Sequence, residues 1–356
     1  MPIKKMSRGL IEKFDKSNMY QLLVDFPNQC QQARSIGGVF RPARQFQNVN
    51  KIVFAGMGGS AMSGAILQVY LQDEIDLPVK VVQSYSLPSF VDKNTLVFAI
   101  SYSGNTEELL SLYKDARRKK AKVIAITSGG KLKALAKKDK IALIPIPAGL
   151  PPRAALGYLA IPPLLVLEKI GLIGNQDRYL LDLIRNLKGL RRKFAIENRK
   201  GNPALKVAGN LSGRIPVIYG SFETTSAVAY RWRTQLAENS KILSFHHFFP
   251  ELDHNEIVGW QEQKLLYKKF VIIILKDRED YYRNETRMNI TRSLLKAYPY
   301  KIIEVSSKGK SRLSRIFSLI NLGDFVSFYL AILNGVDPTP VERIALLKKK
   351  LAGRNV

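Results

Sequence analysis

The sequence predicts an α/β protein built as two sandwiches, each a mainly parallel sheet flanked by helices, with a helical connector between them and a C-terminal helix. Three observations predict it. Short apolar runs rich in β-branched residues alternate with helical stretches through the first 150 residues. Continuous apolar strands of this kind belong to parallel sheets covered on both faces. No strand pattern is visible from Arg153 to about Lys200, and the alternation then restarts.

In order, the first fifty residues read as helical, with apolar spacing through Leu10, Ile11 and Phe14 and then Leu22, Leu23 and Phe26. A strand at Ile52–Ala55 leads into the glycine-rich GMGGSAMSG and a helical stretch, Ala65–Leu71. Further strands are expected at Val79–Val82, Thr95–Ile100, Val123–Thr127 and Ile141–Ile146, each bounded by turn residues. Helices fall at about Glu107–Lys119 and Lys131–Lys138. In the second half, Pro216–Tyr219 is followed by Gly220-Ser221 and a helix near Thr225–Ala237. Strands follow at Ile242–Phe245, Phe270–Leu275 and Lys301–Val305, with helices at Asp280–Lys296 and Leu313–Leu333. Asp337-Pro338-Thr339-Pro340 breaks the chain before a last helix, about Val341 to Leu351. The second half repeats the first: strand, Gly-Ser turn, helix, then more α/β units. The expected divisions are 1–160, a connector 161–203, and 204–356.

Composition narrows the function. The chain has 356 residues, 46% hydrophobic and 24% charged, which excludes a disordered, collagenous or disulfide-stapled protein. Cys30 is the only cysteine, so no internal disulfide, tetrathiolate zinc or iron–sulfur site can form. The histidines are His246, His247 and His254, so imidazole chemistry must come from one short stretch. His246 and His247 are adjacent in a strand, where neighbours face opposite sides, which argues against a zinc site. No secretory signal is visible. The longest apolar stretch, Ala154–Leu167, is interrupted by Tyr158 and Pro162-Pro163 and is too short to span a bilayer. The expectation is a soluble cytoplasmic protein. The formal charge of +27 attracts anions without choosing among nucleic acid, anionic lipid and phosphorylated metabolites. Its short basic runs, Arg117–Lys120, Arg191–Lys193 and Lys348–Lys350, carry no nucleic-acid module signature.

Three loops carry the chemistry. Gly56, Gly58 and Ala61 satisfy the dinucleotide fingerprint, but no acidic residue ends the next strand, VKVVQS, to hold a ribose. The glycines, Gly58 and Gly59 among them, instead let a ligand approach bare backbone N–H groups beside Ser60 and Ser63. After TLVFAI, the segment SYSGNTEE sets Ser101, Ser103 and Thr106 at the start of a helix, whose free N–H groups and partial positive charge suit a phosphate. Asn105-x-x-Glu108 could be a plain capping box, but capping needs one such residue rather than several. Thr127-Ser128-Gly129-Gly130 makes a third such loop. Hydroxyl-glycine loops after three strands of one sheet point to a phosphate monoester.

With PPRAALGY, LAENSK and FPELDHNEIVGW, these loops resemble the sugar isomerase (SIS) superfamily, and within it the bifunctional phosphoglucose/phosphomannose isomerases. The resemblance runs from about residue 20 to 352. It implies flavodoxin-like SIS sandwiches. It also implies isomerisation of glucose 6-phosphate, and of mannose 6-phosphate, to fructose 6-phosphate through a cis-enediol(ate), with no metal or redox cofactor. Ser60, Ser101, Ser103 and Thr106 would hold the phosphate.

The remaining residues combine that resemblance with their own physics. Arg153 follows Pro151-Pro152 and opens a helix, where a cation is disfavoured by ~0.3–1 kcal/mol unless an anion offsets it. The resemblance makes it the group that stabilises the enediolate; the plain alternative is an exposed arginine. Glu238 ends a helix, whose negative end should make its carboxylate a stronger base. The resemblance makes it the base moving a proton between C1 and C2; the alternative is an ion pair with Lys241 or Arg233. Asp253-x-x-Glu256 reads as a capping box, placing His254 in a helical first turn that would keep its imidazole neutral. The resemblance gives His254 a part in ring opening, donated across a homodimer interface. It places Lys348 in the site as well, with Lys349 and Lys350 as neighbouring candidates, and Thr339 as the small hydroxyl residue that admits the mannose epimer. Two rivals share the serine loops: a non-catalytic sugar-phosphate sensor, and the isomerase half of an amino-sugar transferase. The first has no need of Arg153, Glu238 and His254 together. The second expects a nucleophile domain that Cys30 does not supply. No specific nucleic acid or membrane partner is expected.

Overall fold

The computed structural model describes residues 6–352. The chain opens with α1 (Arg8–Phe14), α2 (Met19–Val24) and α3 (Phe26–Gly38) rather than one long helix. The break after α1 is made by Asp15, whose carboxylate accepts hydrogen bonds from the amides of Met19 and Tyr20 and so starts a new helix.

The first sheet comprises β1 (Lys51–Ala55), α4 (Gly59–Leu71), β2 (Val79–Val82), β3 (Thr95–Ile100), α5 (Glu107–Arg118), β4 (Lys122–Thr127), α6 (Gly130–Lys138) and β5 (Ala142–Pro145). Its strands are parallel, in the order β2-β1-β3-β4-β5. Alternation along β1 sends Ile52 and Phe54 to the side shared with α4, and Val53 and Ala55 to the side shared with α5 and α6. All of β3 is buried, as a central strand covered on both faces requires. Strand order reverses between β1 and β3, so the loops leaving those strands diverge and open a crevice at the carboxyl edge.

After a 3₁₀ turn at Pro152–Ala154 come α7 (Leu156–Lys169), α8 (Asp177–Phe194) and α9 (Pro203–Leu211). The second sheet then comprises β6 (Ile215–Ser221), α10 (Ser226–Ser240), β7 (Phe245–Phe249), α11 (Lys264–Tyr267), β8 (Phe270–Lys276), α12 (Tyr282–Leu295) and β9 (Lys301–Ser306). The parallel order β7-β6-β8-β9 repeats the first sheet without its fifth strand. The chain closes with α13 (Arg312–Asn334) and α14 (Glu342–Ala352).

Three sequence expectations are corrected. The strand expected at Ile242–Phe245 begins at Phe245, because Lys241 takes a left-handed conformation (φ 58°) and turns the chain first. Helix α9 was not anticipated; Asn202 caps it and Pro203 occupies its first position. Ala154–Leu167 is not the longest apolar stretch: among the described residues α13 is the one helix long and apolar enough to cross a bilayer (mean hydropathy 1.8). Its 18-residue apolar window is wholly buried as the strut between the lobes, and the helix packs on α8, α9 and α10 and touches α1, α2 and α4. Arg315, Asn321 and Asp324 disguise its apolar run in the sequence.

Candidate active site

The three hydroxyl-glycine loops form one interlocked unit at the crevice. A Cβ on Gly104 (φ +69°) would lie 1.9 Å from the Gly129 carbonyl oxygen, and one on Gly130 (φ +67°) 2.4 Å from that of Ser103. Glycine is therefore required for the second and third loops to touch. Ser60 Oγ accepts from the Tyr102 amide (3.2 Å), and Ser128 Oγ donates to the Tyr102 carbonyl (2.6 Å). Ser101 Oγ lies 3.0 Å from Thr106 Oγ1 and accepts from the Gly104 amide, while Ser103 Oγ accepts from the Asn105 amide and stays exposed.

The predicted Asn105–Glu108 capping box does not form. Thr106 is the N-cap of α5 and makes no side-chain cap bond, and the Asn105 side chain instead accepts from the Lys131 amide. Helix α4 likewise has Gly58 (φ +52°) as its N-cap, with no side-chain cap. Two helix N-termini thus open uncapped at the crevice, which is what an incoming dianion needs.

Gly59 ties this unit to the second group. A Cβ there would sit 3.0 Å from the Pro152 carbonyl oxygen and 3.2 Å from Arg153 Cα. Arg153 lies in the 3₁₀ turn ahead of α7, and it is not the exposed arginine its position suggested: only 4% of its surface is accessible. Its Nε donates to Asn239 Oδ1 (2.6 Å), and its Nη2 donates to the carbonyls of Pro338 (2.7 Å) and Thr339 (2.9 Å). Only Nη1 is loosely engaged, at 3.4 Å from Glu238 Oε2. Burial depresses the Arg153 pKa, opposed by the Glu238 carboxylate.

Glu238 therefore pairs with Arg153, not with Lys241 or Arg233. Its side chain stays 28% exposed in the last turn of α10. The Lys241 ammonium donates to the carbonyls of Glu238, Pro338 and Pro340, fastening the Asp337–Pro340 segment over the end of α10. Burial, then Arg153, lowers the Lys241 pKa. Thr339 Oγ1 is buried with no hydrogen-bond partner, beside the carbonyls that grip Arg153.

Sequence reasoning missed the supports. Arg231, Gln235, Glu238 and Asn239 share one face of α10, at helical spacing. Arg231 donates to the Arg153 carbonyl (3.0 Å) and to both oxygens of buried Asp324 on α13, which Gln235 also reaches (2.9 Å). Asn239 Nδ2 donates to Ser327 Oγ (2.9 Å). The available signal was a polar stripe on a helix that otherwise buries Val228, Trp232 and Leu236.

His254 and Lys348 do not join this cluster within the chain. His254 is exposed at the end of the 3₁₀ turn Glu251–His254, and the predicted Asp253–Glu256 capping box is absent. Asp253 instead pairs with Arg287 (3.2 Å) and accepts from Thr291 (2.9 Å), fixing the turn to α12. Lys348, like Lys349 and Lys350, is exposed on α14, and no described hydrogen bond or ion pair links it to Arg153 or Glu238. His246 stacks on Tyr230 of α10, with burial and then Arg233 pushing its imidazole down to about 4.

Residues 45–148 match the SIS domain family, and residues 200–351 match the bacterial phospho-glucose isomerase C-terminal SIS domain. The chain is 46% identical over 335 residues to the bifunctional phosphoglucose/phosphomannose isomerase of Caldicellulosiruptor bescii, covering 94% of this chain and 99% of the relative. It is 38% identical to the protein of that name from Aquifex aeolicus, over 84% of this chain and 90% of the relative. Among solved structures, a hypothetical protein from Thermus thermophilus matches with TM-score 0.72 at 17% identity, over 99% of this chain and 95% of that one. The C-terminal domain of glucosamine-fructose-6-phosphate aminotransferase from Francisella tularensis matches with TM-score 0.69 at 17% identity, over 90% and 98% of the two chains. Those two likenesses carry the fold. The identity to curated relatives carries the family: this chain belongs to the bifunctional phosphoglucose/phosphomannose isomerases of the SIS superfamily.

Proposed function

We propose that the protein interconverts glucose 6-phosphate and mannose 6-phosphate with fructose 6-phosphate by proton transfer through a cis-enediol(ate). The observation that carries this reading is the Arg153–Glu238 pair, held against the serine-loop unit through Gly59. The phosphate binds Ser60, Ser101, Ser103, Thr106 and the free amides of α4 and α5, which orients the sugar without activating it. Glu238 removes the C2 proton of the open aldose and returns it to C1, a general-base contribution of ~10²–10⁴-fold. Arg153 Nη1 faces the developing oxyanion, since its other donors are spent on Asn239, Pro338 and Thr339. One base beside a planar intermediate serves both C2 epimers, and the unpartnered Thr339 hydroxyl offers a contact to the sugar. In this reading the reaction uses no metal or redox cofactor and takes place in the cytoplasm.

The same reading makes the enzyme a homodimer, with His254 entering the partner's site for ring opening. Val258, four residues beyond that histidine in the chain, is 61% exposed, which supports a covered face there. Lys348 acts only if α14 lies against a site in the assembly. The decisive assay is turnover of both aldose phosphates by wild type and Glu238→Gln. Wild type should be active on both and the variant slower by ~10²-fold or more. Inactive wild type would refute the enzyme, and an active variant would refute the base. Glu238→Gln and His254→Ala chains, each inactive alone, should regain activity after verified subunit exchange; no recovery would argue against a shared site.

A further inference from the structure

The two arginines at the lobe junction are equally buried but differently partnered. Arg231 holds a carboxylate, Asp324, at 2.7 and 3.1 Å. Arg153 is gripped only by neutral acceptors, namely Asn239 Oδ1 and two backbone carbonyls, apart from the long contact to Glu238. A buried guanidinium beside a carboxylate is neutralised where it stands, and its attraction for a further anion falls. Bonded to an amide, Arg153 is aligned without a second carboxylate being added to the Glu238 already beside it.

Resting on the isomerase reading, we propose that Asn239 is a positioning residue that orients Arg153 while leaving its charge available to the enediolate. Asn239 has no exposed surface, so it acts through Arg153 rather than on substrate. Its amide orientation follows from chemistry. Arg153 Nε can only donate, so the oxygen must face it, and the NH₂ is then turned to Ser327 Oγ. Ser327 in turn donates to the Asp324 carbonyl, and Ser240 Oγ donates to the Ser327 carbonyl. The acceptor therefore rests on α13, the most buried helix of the protein. Asparagine and aspartate have the same shape, so a carboxylate would fit this position geometrically. What differs is charge, together with the loss of the N–H donor to Ser327.

The test substitutes Asn239→Asp and Asn239→Ala in the full chain and reads three quantities besides the melting temperature. These are kcat, KM for fructose 6-phosphate, and affinity for the hydroxamate of 5-phosphoarabinonic acid, a planar mimic of the enediolate. Asn239→Asp should lose about 10–100-fold in kcat and in hydroxamate affinity, below the ~10²–10³-fold of losing an oxyanion donor outright because Arg153 is retained. Its KM should stay within about threefold, and Asn239→Ala should fall between it and wild type. A role in packing alone predicts that Asp, the better shape match, outperforms Ala. That order, or an Asn239→Asp enzyme within twofold of wild type, overturns the proposal. Should Asn239→Asp not fold, Asn239→Ala must still lose about 10-fold in hydroxamate affinity with KM held, and unchanged affinity overturns the proposal. A wild type that binds the hydroxamate no tighter than fructose 6-phosphate refutes the isomerase reading itself, not the role of Asn239.

Discussion

Replacing Gly59 by alanine should damage turnover far more than stability. Gly59 is the first residue of α4, and its φ is ordinary, so the methyl brings no backbone strain. The difficulty is space. The new Cβ would lie 3.0 Å from the Pro152 oxygen, 3.1 Å from the Pro152 carbonyl carbon and 3.2 Å from Arg153 Cα. All three are backbone atoms, so relief needs the start of α4 to separate from the Pro152–Ala154 turn by a few tenths of an ångström. That turn is held from the opposite side by Arg231 on the Arg153 carbonyl and by three bonds to the guanidinium. The movement therefore falls on the α4 side, where Ser60 sits. Helix propensity favours alanine by up to ~1 kcal/mol, and overpacking costs about 1–3 kcal/mol, leaving a net loss of roughly 0–2 kcal/mol. Catalysis is less forgiving, because a misplacement near 1 Å can cost ~10²-fold. We expect kcat/KM for fructose 6-phosphate to fall about 10-fold or more while thermal melting shifts by only a few degrees. Gly189→Ala, in the middle of α8 with nothing near its would-be Cβ, is the control and should gain roughly 0.5–1 kcal/mol with unchanged kinetics. A Gly59→Ala enzyme with wild-type kcat/KM would refute the claim that contact between the phosphate loop and the Arg153 turn sets the reacting geometry.

Two further outcomes test the same framework. Asp324→Leu alone strands the Arg231 charge and should destabilise by about 3–5 kcal/mol, whereas Arg231→Met with Asp324→Leu should recover much of that loss in a denaturant titration yet stay slow, because the Arg153 carbonyl has lost its donor. Burial raises the Asp280 carboxyl to about 6, so the folded chain holds a proton that the unfolded chain has lost between about pH 4 and 6; stability falls as pH rises through that window, and Asp280→Asn should gain about 1–2 kcal/mol over wild type at pH 7.5 and nothing near pH 4 in paired melts.

The alternation of apolar runs was enough to locate the strands, because a parallel strand buried on both faces leaves a continuous signal, as at Thr95–Ile100 (β3); the half-buried edge strand Val79–Val82 (β2) was located by its valines. Edges were harder. β7 begins three residues late because nothing in Ile242-Leu243-Ser244 advertises the left-handed turn at Lys241. The serine loops were legible because glycine and hydroxyl residues cluster locally after each strand. Asn239 and Arg231 were not, since their meaning is a contact with Arg153, 86 and 78 positions away, and Asp324 was not, since its partner Arg231 is 93 positions away; sequence spacing along one helix shows a stripe without showing what it faces. The capping boxes failed for a related reason. Asn105 and Asp253 had better partners in Lys131 and in Arg287 and Thr291, brought near by tertiary structure.

Repetition of the fold did not bring repetition of the chemistry, and the reason is visible at the second rim. Where the first sheet opens on free amides and hydroxyls, the rim at Gly220 and Ser221, the last two residues of β6, is filled from within. Ser221 Oγ donates to the Glu223 carboxylate (3.2 Å), Asn284 donates to both (3.1 Å each), and Thr225 Oγ1 takes the Ser221 amide (2.7 Å). Thr224 donates to Asp280, and Asp277 pairs with buried Arg315. Glu223 thus occupies the position of an anion on this rim, and the surrounding carboxylates would repel a phosphate. The second lobe's contribution lies instead at the far end of its first helix. Helix α10 leaves the closed rim and delivers Arg231, Gln235, Glu238 and Asn239 to the other lobe's open one. A rim that still bound phosphate would compete for substrate at a place with no base. Closing it with the chain's own carboxylates leaves one productive pocket per pair of lobes, and a Glu223→Gln, Asp280→Asn chain that bound a second equivalent of fructose 6-phosphate in calorimetry would show that these carboxylates are what keeps it closed.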